Sequence, residues 1–480
     1  MNPKVSDLIS ALPDWEKVPD TEDRQAREDL KELLAGLSMR PVPVDSFHRL
    51  WSLGELSAQI ALAYFALWIR QWFRSTESRD RAVMEANLRS ALKICQRLGY
   101  LRGALMKVGQ ALGNFPDIVP TEFAETLDRL HFDAPPMHFS LLRELLRSEL
   151  GADPEELFES FETKAFAAAS LGQVHLARLK SSETVAVKIQ YPGIARTIDA
   201  DVRNLRALLF PIRLGKDSEY VRRQVEEIHR MLQLEADYEH EAESLRAAHD
   251  LFNSGEGIVV PKVYEKYSTK RVLTMDYIPG VLLDDFLATN PSQEQRNQFG
   301  AKMYLASLRL YYAGTNYADP HSGNYLFMGD DRLGLIDFGC VQRYGDEEAE
   351  LIRLAEESAS GRPEVLRELF RQGANLEDAD LENQEHVKLL EESYKWVCEP
   401  IQHEGPFDFG NVEHLQHGIH VLIGLVRKRY TRSHPMYVYL NRSVFGLRAL
   451  LYRLRAQVDV KALHRQEARV PLGPSLNEFT

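Results

Sequence analysis

Apolar positions change their period along this chain, and the changes mark its elements. From Phe47 to Gly113 they recur at helical spacing, with a break near Ser75 to Ser78. The residues before about 40 are charged and weakly periodic, which predicts a loose helical tail. Pro116, Pro120 and Pro135-Pro136 then punctuate the chain, with a short helix predicted over Glu122–Leu130 and another over Phe139–Glu149, closed by Gly151. Strand-like alternation begins near Phe161. Val174–Leu179 and Thr184–Gln190, joined by the turn Lys180–Glu183, read as a β-hairpin. A long helix is predicted from Tyr220 to about Asn253, on the spacing of Val221, Val225, Ile228, Leu232 and Leu245. Two strands follow, Lys262–Tyr267 and Arg271–Ile278. Beyond Gly280 the pattern is helical, except for a loop, strand, turn and strand between Thr315 and Val341.

Strands do not alternate with helices, so a Rossmann domain is excluded. No GxxxxGK[ST] occurs, which sets P-loop ATPases aside. The predicted order is α+β: a helical N-terminal extension (residues 1–155), a small β-rich lobe (156–278) and a large helical lobe (279–480).

The net charge of −13 argues against a nucleic-acid binder, because no basic excess exists to neutralise phosphates. Cys95, Cys340 and Cys398 are far apart, as expected of a reducing compartment without a zinc site. The first residues, MNPKVSDLISALPDWEKVPDTED, mix acids and bases and read as neither a secretory signal nor an Arg-rich transit peptide. The most membrane-like run, Leu56–Ile69, is shorter than the roughly 20 residues a span needs and is interrupted by Ser57 and Gln59.

The stretch VAVKIQYPG, Val185 to Gly193, places a cation inside an otherwise apolar strand. A lone strand lysine usually lies at an edge or reaches solvent with its tip. The other reading makes Lys188 the strand lysine of a kinase-like fold, which holds nucleotide phosphates and a helix glutamate. That reading needs partners, and the chain carries them. Asp319-Pro-His-Ser-Gly-Asn324 gives Asp-x-x-x-x-Asn, and Asp337-Phe-Gly follows thirteen residues after Asn324. Two carboxylates and a carboxamide are the oxygen donors that Mg²⁺ prefers. Ala167-Ala168-Ala169-Ser170 lies about 20 residues before Lys188, where a Gly-rich phosphate-covering loop belongs. Its alanines restrict the backbone that glycines would leave free. Glu235, Asp237, Glu239 and Glu241 crowd the long helix, Asp237 with Glu241 on one side and Glu235 with Glu239 on another. Such a run is ordinarily a solvated face. In a kinase-like fold one of them meets Lys188.

AAASLGQVH, VAVKIQYPG, EADYEHEA, DPHSGN and IDFG, in this order, resemble the UbiB/AarF family of atypical protein-kinase-like proteins, which includes mitochondrial members needed for coenzyme Q synthesis. The likeness runs from about Leu88 to Tyr344, with a weaker echo in YLNRSVFGLRALLYRLRA near the C-terminus. Lys107-Val-Gly-Gln110 matches the family's Lys-x-Gly-Gln hallmark in the helical extension. The resemblance implies a bilobal protein-kinase-like fold with ATP and Mg²⁺ as cofactors. Lys188 would pair the phosphates and Glu241, Asp319 would sit at the catalytic-base position, and Asn324 and Asp337 would hold Mg²⁺. The alanine segment would cover the phosphates. Lys107 and Gln110 would fold over the site toward Glu235 and Asp237, where a protein substrate would otherwise lie.

The chain also departs from protein kinases. Tyr317-Ala318 precedes Asp319 where they have His-Arg, His321 replaces a lysine, Ser322 replaces the family's more usual proline, and no Ala-Pro-Glu follows Asp337. Regulation by loop phosphorylation is therefore not expected. The implied function is an atypical kinase or ATPase in isoprenoid-quinone or membrane-lipid metabolism. The alternative is a nucleotide-gated module that binds a lipid or partner without useful turnover. The expected location is the cytoplasm, with peripheral contact to a membrane surface through Leu56–Phe73 or the basic helix around Arg442–Arg455. For both segments a packed core helix is the stronger expectation.

Overall fold

The computed structural model describes residues 139–467, apart from residues 170, 193, 196–197, 200–201, 203–225, 227–228, 253–254, 318–319, 359–361, 428–433 and 435. The predicted tail, the helices over Phe47–Gly113 and Glu122–Leu130, and the motif residues Lys107 and Gln110 lie outside the described residues. Two compact units divide the chain. One comprises Met1–Pro136 and Gly193–Leu232; in its few described residues His229 Nε2 lies 2.8 Å from Asp199 Oδ1. The other, Met137–Pro192 with Gln233–Thr480, is described below.

It begins with helices α1 (Phe139–Leu150) and α2 (Pro154–Leu157), then strands β1 (Phe158–Phe161), β2 (Ala167–Ala169), β3 (Gly172–Leu179) and β4 (Thr184–Gln190). Helix α3 (Tyr238–Leu251), strand β5 (Ile258–Val259) and strand β6 (Val272–Asp276) follow. The helical part opens with α4 (Leu283–Ala288) and α5 (Gln293–Tyr312). Short strands β7 (Thr315–Tyr317), β8 (Tyr325–Phe327), β9 (Leu333–Leu335) and β10 (Val341–Arg343) come next. Helices α6 (Asp346–Ser358), α7 (Pro363–Gly373), α8 (Asp378–Leu381) and α9 (Gln384–Gln402) precede β11 (Phe407–Asp408). The described chain ends with α10 (Val412–Arg427), α11 (Met436–Leu454), β12 (Gln457–Val458) and α12 (Val460–Glu467). The architecture is α+β and helix-rich. Among the described residues no helix is long and apolar enough to cross a membrane.

The main sheet has five strands in the order β1-β3-β4-β6, with β2 paired to β3, all antiparallel. Side chains alternate across a strand, so β4 serves two layers. Val185, Val187 and Ile189 pack with Leu142, Leu145 and Leu146 of α1. Ala186, Lys188 and Gln190 face α3 instead: Ala186 packs with Tyr238, and Gln190 Nε2 donates to Ala236 O at 2.9 Å. A strand buried on both faces reads as a continuous apolar run, which explains VAVKI.

Two predicted elements differ. The helix expected through Asn253 breaks at Ala236–Asp237, because the Asp237 carboxylate accepts from Glu239 N and His240 N and so caps a new helix, α3. The strand expected over Lys262–Tyr267 is a single bridge, Val263 to Met275, then a 3₁₀ turn over Glu265–Tyr267. Lys262 N donates to the Asp276 side chain, and Tyr267 N donates to Tyr264 O at 3.0 Å, so side-chain and turn bonds take donors a ladder would use. The basic helix at Arg442–Arg455 is a core element: Arg442 and Arg448 are 4% and 6% exposed.

Candidate nucleotide site

Lys188 is buried, and its Nζ donates to both carboxylate oxygens of Glu241 at 2.8 Å. Asp337 Oδ2 stands 3.3 Å from the same nitrogen. The Tyr238 ring lies beneath, with its centroid 5.1 Å from Nζ, adding a cation–π contact. Burial opposes the charge on Lys188, but Asp337 and Glu241 outweigh it and hold the ammonium well above the ordinary lysine range. Burial pushes the Glu241 carboxyl up to about 7, and Lys188 offsets this only in part.

Local structure places each member. β4 carries Lys188, and α3 starts at Asp237, so Glu241 falls one turn in, on the face that also carries Tyr238, Ala242 and Leu245 into the core. β8 and β9 pair antiparallel with Tyr325 opposite Leu335. Ile336 N then donates to Asn324 O at 3.2 Å, which brings Asn324 to the start of Asp337-Phe-Gly. Phe338 is fully buried against the Tyr317 ring, with centroids 5.5 Å apart, and Gly339 N donates to Asp337 Oδ1 at 3.1 Å. Asp337 is thus anchored on one oxygen and faces Lys188 with the other. Asp319 lies outside the described residues.

The alanine segment is not a loop but a strand. Ala167–Ala169 pairs with β3, Ala169 opposite Gly172, with Leu171 in the turn before β3; Ser170 lies outside the described residues. Leu171 is 2% exposed and its carbonyl accepts from Tyr191 N at 2.9 Å, which pins the turn to the end of β4. Gly172 is required by close approach, since a Cβ there would stand 2.2 Å from Ile189 O and 2.8 Å from the Tyr238 hydroxyl.

The contact expected between Glu235, Asp237 and the motif residues Lys107 and Gln110 falls outside the described residues, and the described partners of the two acids are local. Cys340 Sγ donates to Glu235 Oε1 at 3.0 Å, and Asp237 caps α3 and pairs with Lys270 at 3.1 Å. Tyr238, His240 and Cys340 were not singled out by sequence reasoning. His240 Nε2 donates to Val341 O at 3.1 Å, tying α3 to the segment after Asp337-Phe-Gly. Tyr238 could have been found as the aromatic inside the acidic run; nothing marks Cys340 beyond its place after Gly339.

For Mg²⁺, the donor set is a carboxylate and a carboxamide. Among the described residues no group of three His, Cys, Asp or Glu could hold a metal. Such a set fits a magnesium ion whose other ligands are phosphate oxygens and water, rather than one in a protein cage.

The ABC1 atypical kinase-like domain matches residues 129–358. A Rattus norvegicus protein, atypical kinase COQ8B, mitochondrial, is 30% identical, over 88% of this chain and 80% of its own. The chain belongs to the ABC1 atypical kinase-like family, the UbiB/AarF family. Its fold is the protein-kinase-like fold of that family. Another ABC1 relative, the Danio rerio atypical kinase COQ8B, mitochondrial, is 28% identical over 93% of this chain and 72% of its own. The Drosophila melanogaster AarF domain-containing kinase 1 is 33% identical over 60% of this chain and 57% of its own. A solved Mycobacterium tuberculosis structure, the Rv3197–erythromycin complex, superposes with a TM-score of 0.53 at 27% identity, covering 83% of this chain and 100% of that one. Within the ABC1 match fall Lys188, Glu241, Asn324 and Asp337.

Proposed function

We propose that this chain binds Mg-ATP and acts as an atypical kinase or slow ATPase in isoprenoid-quinone or other membrane-lipid metabolism. The observation that carries this reading is the buried Lys188 held between Glu241 and Asp337. Lys188 binds the α/β-phosphates, and Glu241 keeps its ammonium charged and aimed. Asn324 and Asp337 hold Mg²⁺, which neutralises phosphate charge and orients the transferred group. Asp319 accepts the proton of the attacking hydroxyl or water. The backbone of Ala167, Ala168, Ala169 and Ser170 covers the phosphates. The names of the COQ8 relatives support the quinone assignment.

The alternative is a nucleotide-gated binding protein without useful turnover. The solved relative with a bound small molecule, erythromycin, favours it. One experiment separates the readings: ATP affinity and phosphate release, with and without magnesium, for wild type, Asp337→Ala and Asp319→Asn. Asp337→Ala is expected to lose Mg-dependent affinity, and Asp319→Asn to keep affinity and lose turnover. Unchanged affinity in Asp337→Ala removes the nucleotide reading. Binding with no phosphate release in wild type leaves the gated module.

A further inference from the structure

The helical part holds a cavity of about 530 Å³, partly open to solvent and lined from α5, α6, α7, α9, α10, α11 and α12. None of Lys188, Glu241, Asn324 or Asp337 lines it. That volume exceeds packing voids by an order of magnitude and falls in the range of small-molecule sites. Its wall is apolar and aromatic, with Leu390, Leu440, Tyr311, Tyr312, Tyr394 and Tyr437 among its residues.

One acidic residue, Glu356, is found among the lining residues. Its setting on α6 is unusual for that helix. Glu350 and Glu357 both bond Arg353, and Glu357 also bonds Arg362. Glu356 shares its face with Ile352, four residues earlier, which also lines the cavity. Its side chain is exposed and lines the open side of the cavity, and no cation among the described residues pairs with it. Partial burial raises its pKa, with no positive charge among the described residues to lower it. Tyr311 and Tyr312, on α5, line the same cavity as Glu356.

The other charges in the wall are already satisfied. Arg448 donates to Trp396 O at 2.9 Å and Val397 O at 2.8 Å, meets His414 Nε2 at 3.1 Å, and stacks 3.9 Å over the Trp396 ring. His464 lies between the Tyr304 and Tyr312 hydroxyls at 3.3 and 3.2 Å, and burial lowers its pKa to about 4, so it is neutral at pH 7.

A carboxylate with no counter-charge among the described residues, in an apolar cavity lined by aromatic residues, is complementary to a cation on an apolar body. The carboxylate supplies the ion pair and the ring faces supply cation–π attraction. We propose that this cavity is a ligand site for an organic ammonium compound, with its ammonium group at Glu356, Tyr311 and Tyr312 and its apolar body between α9 and α11. This inference does not rest on the nucleotide reading.

The test uses a matched pair of probes, dimethyl(naphthylmethyl)amine and naphthylmethanol, the first cationic and the second neutral at pH 7. Both are titrated without nucleotide by ligand-observed NMR, with wild type, Glu356→Gln and Ala355→Trp, and thermal unfolding verifies each fold. Wild type is expected to bind the amine about tenfold more tightly than the alcohol. Glu356→Gln is expected to erase that tenfold preference, about 1.4 kcal/mol, and leave the alcohol unchanged. Ala355→Trp fills the chamber and should block both probes; Leu440→Phe replaces it if the tryptophan variant does not fold. The proposal is overturned if neither probe binds wild type, if the alcohol binds as tightly as the amine, or if Glu356→Gln keeps the preference. It is likewise overturned if the filled variants still bind the amine.

Discussion

Lys188 Nζ stands 2.8 Å from both carboxylate oxygens of Glu241, in a setting where the lysine side chain is 10% and the glutamate 1% exposed. Neither charge reaches bulk water, so each depends on the other. Removing one partner leaves an uncompensated buried charge, which costs about 3–5 kcal/mol. Glu241→Ala is therefore expected to lower unfolding free energy by that amount, reduced by whatever Asp337 supplies. The double variant Lys188→Met/Glu241→Leu should recover most of the loss, because an apolar pair of similar volume avoids desolvating two ions. Urea unfolding of the three proteins measures it. A double variant less stable than Glu241→Ala would mean that the pair itself supplies net stability.

Gly172→Ala should be severe. The new methyl meets the Ile189 carbonyl, which belongs to the neighbouring strand and cannot move without breaking the ladder. Overpacking of this kind costs about 1–3 kcal/mol or more. We expect a drop in the thermal midpoint together with weaker ATP binding, since the same turn ends the alanine strand. A variant with the wild-type midpoint would show that the hairpin relaxes freely.

Ala169→Gly tests the phosphate-covering role of the alanine segment. Glycine removes a methyl and restores backbone freedom, a gain of roughly tenfold in affinity, or about 1.4 kcal/mol. Loosening a paired strand costs about 0.5–1 kcal/mol of this. The expected net outcome is ATP affinity about two- to fivefold tighter, read by direct titration. Weaker binding would place the phosphates elsewhere.

His464 sets a pH dependence. Its pKa is about 4 in the folded protein against 6.5 when free, so the unfolded chain binds the proton more readily. Stability from this residue is fully present above pH 6.5 and is lost as pH falls toward 4, by up to about 3 kcal/mol. Glu241, with its carboxyl raised to about 7, takes up its proton across the same range with the opposite sign. Comparing wild type with His464→Gln cancels that contribution, because both proteins carry Glu241. The difference in unfolding free energy should shrink in wild type's disfavour between pH 6.5 and 4. Parallel curves would show His464 titrating as it does in the unfolded chain.

The sequence by itself determined the elements whose pattern is local. The hairpin expected over Val174–Leu179 and Thr184–Gln190 is strands β3 and β4, and the continuous apolar run around Lys188 is a strand buried on both faces. The order of Lys188, Asp-x-x-x-x-Asn and Asp-Phe-Gly pointed to a kinase-like fold for the same reason, each being a short motif whose meaning lies in its own spacing, and the resemblance of five segments then pointed to the family. Tertiary structure decided what spacing leaves degenerate. Four acids crowd residues 235–241, and periodicity alone cannot choose among them. The choice follows from the break at Asp237, whose side chain caps α3 and turns Glu241 inward, while Glu235 goes to Cys340. The contacts that assemble the site join Lys188 to residues 53 and 149 positions away. Docking of α3 and the β8–β9 hairpin onto the sheet sets those distances, and no local pattern encodes them. The same holds for Arg448 and Glu356. Arg448 lies in a segment expected to pack as a core helix and nothing in the sequence marks Glu356, and only the packing of α6 and α11 shows one buried on carbonyls and the other lining a cavity.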